Sequence, residues 1–323
     1  EIYTLSLHDA LPIYELTKEL KALIEDVLSE MNVSDEADTG KDESAETVTD
    51  RDSTAETQTG GACEQEGVEE GTLEDITKIN VKDQYLVGNP VDKEGFMELK
   101  RFAPCRLGIG KAGARYKTLP QLMFRAAHSA AQDAVFSDVD QEFVDNLGLF
   151  TVQSRCESKD EYLTRPDLGR RLSEEAVKTI KEKCEMNPQV EIFVSDGLSS
   201  AAVAANTEDV LSGALQGLKS NGVKVGTPFF LKYGRVGAMD EVSEILKADV
   251  TCVLIGERPG LITATSMSAY MAYKGTIGMP ESRRTVISNI HSAGTIPAEA
   301  GAHLAEVIKI MLDKKISGTE LKL

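Results

Sequence analysis

The chain has 323 residues, of which 41% are hydrophobic, and is long enough for one large domain or two smaller ones. Its formal net charge of −18 argues against nucleic acids and anionic membrane surfaces as partners. No apolar run reaches the ~18 residues that span a bilayer, which predicts a soluble protein.

Residues 1–13 differ in character from the rest of the chain. They have no basic segment before an apolar core, so they do not form a signal peptide. The string is similar to the in-frame translation of a short-read sequencing adapter, and a native apolar N-terminal segment is the alternative. We expect these residues to be non-native and base no functional prediction on them.

Residues 14–31, from Tyr14 to Met31, carry apolar side chains at spacings of three and four residues. These side chains are Leu16, Leu20, Leu23, Ile24, Val27, Leu28 and Met31. The spacing predicts one apolar stripe on an amphipathic helix. Because a helix of about 18 residues is marginally stable alone in water, we expect it to dock against another surface.

Residues 32–72 are rich in Asp, Glu, Ser, Thr and Gly. Between Ser34 and Asp75 there are fifteen acidic residues against only two basic ones, Lys41 and Arg51. A segment of this composition buries too little apolar surface to offset the entropy of ordering. It therefore predicts a disordered acidic linker.

Two portions follow the linker. The mixed pattern of residues 73–104 predicts a weakly ordered bridge with one or two short elements. The pattern of residues 105–189 predicts a smaller helical N-terminal portion. The predicted elements of the helical portion are a helix from Thr118 to about Phe136, a helix over residues 140–147 and a strand over residues 150–154.

Residues 190–323 alternate between strand and helix patterns. The predicted strands are residues 190–194, 223–225, 250–255 and 285–287, and the predicted helices are residues 208–219, 239–247 and 297–315. Single helices between strands indicate βαβ units. Two of the strands are continuous apolar runs, which is typical of strands covered on both faces. The pattern predicts an α/β protein with a parallel sheet flanked by helices.

The five cysteines are scattered, with no C-x-x-C pair and no histidine at metal-ligand spacing. They are Cys63, Cys105, Cys156, Cys184 and Cys252. We expect free thiols in a reducing cytosol and no metal site.

Glycine-rich or polar segments follow three of the predicted strands: residues 226–230 (Gly-Thr-Pro-Phe-Phe), 256–260 (Gly-Glu-Arg-Pro-Gly) and 288–291 (Ser-Asn-Ile-His). In an open α/β sheet the carboxyl ends of the strands are where ligands bind. Residues 195–199 follow another strand but lack the G-x-S-x-G pattern of a nucleophilic serine. We therefore expect this turn to help shape a ligand cleft.

Residues 162–171 (Tyr-Leu-Thr-Arg-Pro-Asp-Leu-Gly-Arg-Arg) place three arginines in a turn before a helix, for which Ser173 is a plausible N-cap. Guanidinium groups suit carboxylates, phosphates and subunit interfaces. We expect Arg165, Arg170 and Arg171 to make interface contacts or salt bridges that lock the loop, and a substrate site is the alternative.

Residues 108–113 fit the G-x-G-x-x-G dinucleotide pattern, but Asp133, which has the spacing of the acidic partner, lies within a predicted helix. We expect a flexible basic loop instead, with Lys111, Arg115 and Lys117 available to a partner subunit or an anionic group. A nucleotide-binding oxidoreductase is the alternative function that this motif leaves open.

Taken in order, residues 162–171, 226–230, 256–260 and 288–291 resemble the small (light) subunit of ethanolamine ammonia-lyase, an adenosylcobalamin enzyme. The resemblance spans about residues 106–323 and implies a Rossmann-like cobalamin-binding domain over residues 190–323. It implies a lyase that converts ethanolamine to acetaldehyde and ammonia. It further implies adenosylcobalamin shared with a large subunit, in a hetero-oligomer whose catalytic residues belong to that subunit.

The resemblance implies cofactor contacts at Val236, Glu257 and Val286. A carboxylate directly after a buried strand can accept hydrogen bonds from corrin amides or ribose hydroxyls. For Glu257, a structural ion pair with Arg235 or Arg258 is the alternative. The family often carries a cysteine where this chain has Val286, so only an apolar or backbone contact would persist there.

The chain lacks the D-x-H-x-x-G motif with which some cobalamin domains replace the lower nucleotide ligand by histidine. The resemblance therefore implies base-on cobalamin, with the dimethylbenzimidazole still on cobalt and this chain shielding that side.

A short amphipathic helix on a polar tether also resembles the encapsulation peptides of bacterial microcompartments. We therefore expect residues 14–31 to bind shell proteins, and the protein to lie in the cytoplasm inside such a compartment. Packing of this helix on the chain's own globular part or on the large subunit is the alternative. A non-enzymatic adapter that loads the large subunit is the alternative function.

Overall fold

A computed structural model of the chain describes residues 75–80, 83–103 and 106–322. The predictions for residues 1–13, for the helix at 14–31 and for the acidic linker at 32–72 lie outside these described residues, as do Cys63 and Cys105.

The described residues form helices and strands that alternate over most of their length. The helices are α1 (Lys93–Phe102), α2 (Thr118–Phe136), α3 (Gln141–Asn146), α4 (Lys159–Thr164), α5 (Glu174–Lys183), α6 (Ser200–Ser220), α7 (Ala238–Leu246) and α8 (Pro297–Lys314). The strands are β1 (Lys111–Ala112), β2 (Arg115–Tyr116), β3 (Phe150–Gln153), β4 (Val190–Ser195), β5 (Phe229–Lys232), β6 (Val250–Gly256), β7 (Met267–Tyr273) and β8 (Thr285–Ile290). Single 3-10 turns occur at Ile76–Lys78, Leu168–Arg170, Glu281–Arg283 and Gly318–Glu320.

Six of the strands form one sheet in the order β3-β5-β4-β6-β7-β8. The first four are parallel, whereas β7 runs antiparallel to both β6 and β8. The predicted α/β class with a helix-flanked sheet is confirmed, and the sheet is mixed. Strand β7, which the sequence pattern does not indicate, makes the sheet mixed because it follows β6 without a crossover helix and pairs with it antiparallel.

Helices cover both faces of the sheet. On one face, Ile192 and Val194 of β4 pack with apolar side chains of α6 and α8. On the other face, Phe193 of the same strand packs with side chains of α5 and α7. Because successive residues of a strand point to opposite faces, the continuous apolar run of β4 supplies both layers of the core.

Most predicted elements are confirmed to within one or two residues, including α2, α3, β3, β4, α7, β6 and α8. Ser173 is the N-cap of α5, where its hydroxyl accepts a hydrogen bond from the amide of Ala176. Helix α6 begins at Ser200, eight residues before the predicted start. The hydroxyl of Ser199 caps it by accepting from the amide of Ala202 at 3.0 Å, a start signal that the sequence analysis did not use.

The prediction of a strand over residues 223–225 is wrong. Val225 makes only an isolated bridge to Val190, and the strand lies further on, at β5. Residues 226–230 therefore lead into β5 at the amino edge of the sheet instead of following a strand at its carboxyl edge. The amide of Gly226 donates to the carbonyl of Val190, the first residue of β4, at 2.8 Å.

Residues 108–113 do not form a strand–turn–helix unit. They enter a short hairpin in which β1 pairs with β2. Of the three cations expected to be available to a partner, Lys117 is engaged within the chain, because its ammonium donates to the carbonyl of Leu86 at 2.5 Å. The structural context of a dinucleotide-binding motif is therefore missing.

Cys156, Cys184 and Cys252 are free, buried thiols. Among the residues that the structure describes, no helix is both long and apolar enough to span a bilayer.

A buried carboxyl group, Glu191, lies near the amino edge of the sheet in β4. Its side chain is fully buried, and neither carboxyl oxygen has a hydrogen-bond partner among the described residues. Burial raises the pKa of Glu191 to about 8, against an opposing effect of the nearby Thr227 amide. Such a group is protonated at neutral pH in the folded chain and ionised in the unfolded one.

We predict that Glu191→Gln stabilises the protein at pH 8 and makes its stability less dependent on pH. The folded pKa lies above the ordinary value of 4.5, so this group's contribution to stability is complete below pH 4.5 and is lost as the pH rises towards 8. The loss by pH 7 is about 3 kcal/mol. Thermal unfolding of the wild type and of Glu191→Gln between pH 4.5 and 8 measures how the free energy of unfolding depends on pH. The exposed Glu208→Gln is the control. Equal pH slopes in Glu191→Gln and the wild type would contradict the assignment.

Candidate functional site

A cleft opens at the carboxyl ends of the central parallel strands. Helix α6, which follows β4, packs on one face of the sheet, and helix α7, which follows the neighbouring β5, packs on the other. Adjacent strands whose helices leave on opposite sides create a crevice at their carboxyl ends, which is the usual ligand position in open α/β sheets. The fold therefore creates this cleft by its topology.

The cleft has a volume of about 310 Å³ and is lined by segments that follow three strands. Leu198 follows β4, Arg235 and Val236 follow β5, and Glu257 and Arg258 follow β6. The remaining lining residues are Tyr162, Arg170, Gly237, Ile255, Gly256, Tyr270 and Glu281. Two of the three predicted cofactor contacts, Val236 and Glu257, are thus brought together.

Glu257 is oriented by a tyrosine. The hydroxyl of Tyr270 on β7 donates to Glu257 Oε1 at 3.3 Å, and the amide of Glu257 donates to the carbonyl of Ser266 at 2.9 Å. Burial, followed by the charge of Glu257, raises the pKa of Tyr270 to about 12, so its hydroxyl stays protonated. The second carboxylate oxygen accepts no hydrogen bond from any described residue, which leaves it available to a ligand.

The alternative role for Glu257, a structural ion pair, is not observed. Arg235 and Arg258 line the same cleft, but neither forms an ion pair with Glu257 within the described residues. Arg235 instead donates through Nη2 to the carbonyl of Tyr162 at 2.7 Å.

Val286 lies outside the lining of this cleft. It is on β8, directly opposite Tyr270 of β7 in the antiparallel register, and 46% of its surface is exposed. Directly opposed residues on antiparallel strands project from the same face. Val286 therefore extends the surface that Tyr270 and Glu257 form, and its contact with a cofactor stays a prediction.

Asp196 joins the segments after β4 and β5. Its fully buried carboxylate accepts hydrogen bonds from the amide of Gly197 at 3.0 Å and the amide of Tyr233 at 3.0 Å, and the hydroxyl oxygen of Ser195 lies 3.3 Å away. Burial raises the pKa of Asp196 to about 6, against the opposing effects of Lys159 and of these hydrogen bonds. The carboxylate is thus mainly ionised at neutral pH.

The arginine-rich segment docks on the loop after β5. The amide of Arg235 donates to the carbonyl of Gly169 at 2.8 Å, and a Cβ placed on Gly169 would lie 3.2 Å from the carbonyl oxygen of Tyr233. The guanidinium of Arg235 lies 4.5 Å from the ring centre of Tyr162. A glycine at position 169 therefore permits the close approach that brings its neighbour, Arg170, to the cleft.

The three arginines of this segment have different surroundings. Arg165 forms an exposed ion pair with Asp167 at 2.8 Å, and Arg171 contacts Glu241 of α7 at 3.2 Å. These two contacts fit the expected role in locking the loop. Arg170 differs, because its side chain lines the cleft.

Residues 288–290, which were predicted to follow a strand, belong to β8, and Asn289 and His291 help to line a separate cavity of about 690 Å³. Both ring nitrogens of His291 are engaged, Nε2 with Asn289 Oδ1 at 2.9 Å and Nδ1 with the amide of Ala293 at 3.2 Å. With both nitrogens in local hydrogen bonds, His291 is poorly suited to act as a general base here.

Ser195 is fully buried and donates to the carbonyl of Leu231 at 2.8 Å, so it is not placed as a nucleophile. The described part of the chain contains no cluster of His, Cys, Asp and Glu side chains that would hold a metal ion.

These features define an α/β protein with a polar cleft at its topological switch point. A family model described as the ethanolamine ammonia-lyase light chain matches residues 93–322. The chain belongs to the ethanolamine ammonia-lyase light-chain family.

Curated relatives with the name ethanolamine ammonia-lyase small subunit cover most of the chain. The protein of Fusobacterium nucleatum is 55% identical over 305 residues, which are 94% of this chain and 98% of the relative. The protein of Clostridium tetani is 52% identical over 308 residues, with the same two shares. The protein of Clostridium perfringens is 60% identical over 250 residues, which are 77% of this chain and 85% of the relative.

We predict that Asp196→Asn releases the loop after β5 locally. An asparagine offers one acceptor oxygen and turns an NH2 group towards the remaining donors, so it cannot accept from both the Tyr233 and the Gly197 amides in the present geometry. At least one of these amides should exchange its hydrogen about tenfold faster or more. Hydrogen exchange measures this, with exposed Asp209→Asn as control. Unchanged protection of both amides would contradict the role of Asp196.

Proposed function

We propose that this chain is the small subunit of an adenosylcobalamin-dependent ethanolamine ammonia-lyase, which converts ethanolamine to acetaldehyde and ammonia. Its partner in this proposal is the large subunit, with which it forms a hetero-oligomer and shares the cofactor. Membership of the light-chain family supports this proposal. The observation that carries the cofactor-binding role is the cleft, where Glu257 has an oxygen without a partner beside Val236.

The polar groups of the cleft suit the chemistry of the cofactor's periphery. Corrin side chains end in amides and the nucleotide loop carries ribose hydroxyls, both of which donate hydrogen bonds to a carboxylate such as Glu257. Val236 packs against the apolar cluster below it and offers an apolar contact next to the carboxylate. Arg235 adds a buried Nε that has no hydrogen-bond partner among the described residues.

The side chains of the cleft support a division of roles between this chain and the large subunit. When bound, the cofactor supplies a 5′-deoxyadenosyl radical through cobalt–carbon homolysis. The side chains described for this chain do not form a nucleophile–base pair in the cleft: Tyr270 is held protonated, and Glu281 is engaged by Arg284 at 2.5 Å. In this proposal the chain binds the cofactor and shields the side on which dimethylbenzimidazole is bound to cobalt. The catalytic residues belong to the large subunit.

We further propose that residues 14–31 direct the complex into a bacterial microcompartment in the cytoplasm by binding shell proteins. The apolar stripe from Leu16 to Met31, followed by the acidic segment 32–72, supports this proposal. Docking of the same stripe on the large subunit is the competing role.

We predict that Glu257→Ala weakens the affinity of the assembled pair for adenosylcobalamin about tenfold, since a hydrogen bond to a charged group is lost. Tyr270→Phe should cause a smaller loss, because it removes only the hydroxyl that orients Glu257. Spectroscopic titration of the pair with adenosylcobalamin measures both, with exposed Glu208→Ala as control. An unchanged affinity in Glu257→Ala would show that Glu257 is structural.

We predict that deletion of residues 14–31 leaves assembly with the large subunit and enzyme activity unchanged but releases the protein from shells. Co-purification with shells, compared between the full chain and the deletion variant, measures this. A variant that keeps the composition of residues 14–31 but breaks the three- and four-residue apolar spacing is the control and should also be released. Loss of assembly with the large subunit on deletion would contradict the targeting role.

A further inference from the structure

Two arginines of the cleft, Arg170 and Arg258, have no anionic partner. Both line the cavity of about 310 Å³, and neither makes a hydrogen bond or ion pair with any residue that the structure describes. Both arginines are exposed, so their guanidinium groups are accessible to a ligand.

Glu281, which lines the cleft, and two carboxylates of α7 are engaged by other groups. Asp240 and Glu281 flank the buried Arg284, at 2.7 Å and 2.5 Å from its guanidinium nitrogens. Glu241 accepts from Arg171 and from the amide of Leu172. Arg171 and Arg284 are therefore paired with carboxylates, whereas Arg170 and Arg258 form no ion pair with any described residue. Glu257 is the carboxylate of the cleft lining that no arginine engages within the described residues.

Arg170 is held in position by its surroundings. It ends the 3-10 turn Leu168–Arg170, and the neighbouring Gly169 is buried against the loop after β5. A Cβ placed on Gly237 would lie 3.1 Å from Cγ of Arg170, so the stem of the arginine lies directly on this glycine. Restricting the stem reduces the entropy that Arg170 would lose on binding an anion.

Arg258 is positioned by the strand end that also carries Glu257. The amide of Glu257 is fixed by the carbonyl of Ser266, and the amide of Gly260 donates to the carbonyl of Thr263 at 2.9 Å. Arg258 therefore lies between two anchored residues. Arg235 adds a third guanidinium to the cleft, and its buried Nε is unpartnered within the described residues.

We propose that Arg170 and Arg258 form an anion subsite that binds a phosphodiester. The proposal rests on the function proposed above, in which the nucleotide loop is the part of the cofactor that carries a phosphodiester. Guanidinium groups match the spacing of phosphate oxygens and bind them by charge-assisted hydrogen bonds. Glu257, which only accepts hydrogen bonds when ionised, then binds amide or hydroxyl donors in the same cleft.

The test compares two ligands in the assembled pair of subunits: adenosylcobalamin, and adenosylcobinamide, which has the same corrin but lacks the nucleotide loop. Arg170→Gln and Arg258→Gln remove a guanidinium while keeping a polar side chain. Each should weaken adenosylcobalamin binding about tenfold and leave adenosylcobinamide binding unchanged. Visible-absorbance titration measures both affinities without turnover. The control is Arg283→Gln, an exposed arginine outside the cleft lining, which should change neither.

Three results would overturn the subsite. Equal losses for the two ligands would mean that the arginines shape the cleft without binding a phosphate. Unchanged affinity for adenosylcobalamin would remove any role in binding. Loss of subunit assembly with unchanged affinity in the remaining pairs would assign the arginines to carboxylates of the large subunit.

A lysine variant keeps the test decisive if adenosylcobinamide binds too weakly to titrate. Arg170→Lys retains the charge, so it should recover part of the adenosylcobalamin affinity that Arg170→Gln loses, and no recovery would overturn the subsite.

Failure of the subsite can be distinguished from failure of the proposed function. A wild-type pair that binds no adenosylcobalamin contradicts the proposed function, whereas a wild-type pair that binds it while Arg170→Gln and Arg258→Gln do so equally well contradicts only the subsite.

Discussion

A buried carboxylate, that of Asp196, joins the two segments on which the cleft depends. It follows the last residue of β4, accepts hydrogen bonds from the amides of Gly197 and Tyr233, and thereby connects the turn after β4 to the loop after β5. Burial of a charge is unfavourable, and the two amide donors compensate for it in part. The loop carries Arg235 and Val236, and Gly169 docks on it. The position of Arg170 therefore also depends, through two further contacts, on this carboxylate.

Much of the fold was predictable because its strands and helices have strong local signals. The apolar runs of β4 and β6 and the periodic helices α2, α7 and α8 lie where the sequence indicates. Strand β5 was misplaced by a few residues because Val223 and Val225 have high β-propensity, whereas Phe229 and Phe230 follow a Gly-Thr-Pro sequence that suggests a turn. Strand β7 was missed because only two of its seven residues, Tyr270 and Tyr273, favour strands. Pairing with β6 and β8 decides its conformation.

The candidate site was predictable in part. A polar residue directly after a buried apolar strand is a local signal, and Glu257 was found by it. The contribution of Tyr270 depends on the antiparallel register of β7 against β6, which lies beyond local patterns. The arginine-rich segment was visible in the sequence, but only tertiary packing separates Arg170 in the cleft from Arg171 at Glu241. Local sequence thus indicates which side chains could bind a ligand, and the topology of the sheet decides which of them lie in the same cleft.

We propose that this chain completes a cobalamin-dependent lyase only together with a large subunit. The most direct test is adenosylcobalamin-dependent formation of acetaldehyde from ethanolamine, measured for the purified chain alone, for the large subunit alone and for the co-expressed pair. We predict turnover by the pair and none by this chain alone. A well-formed pair without turnover, or turnover by this chain in the absence of the large subunit, would contradict it.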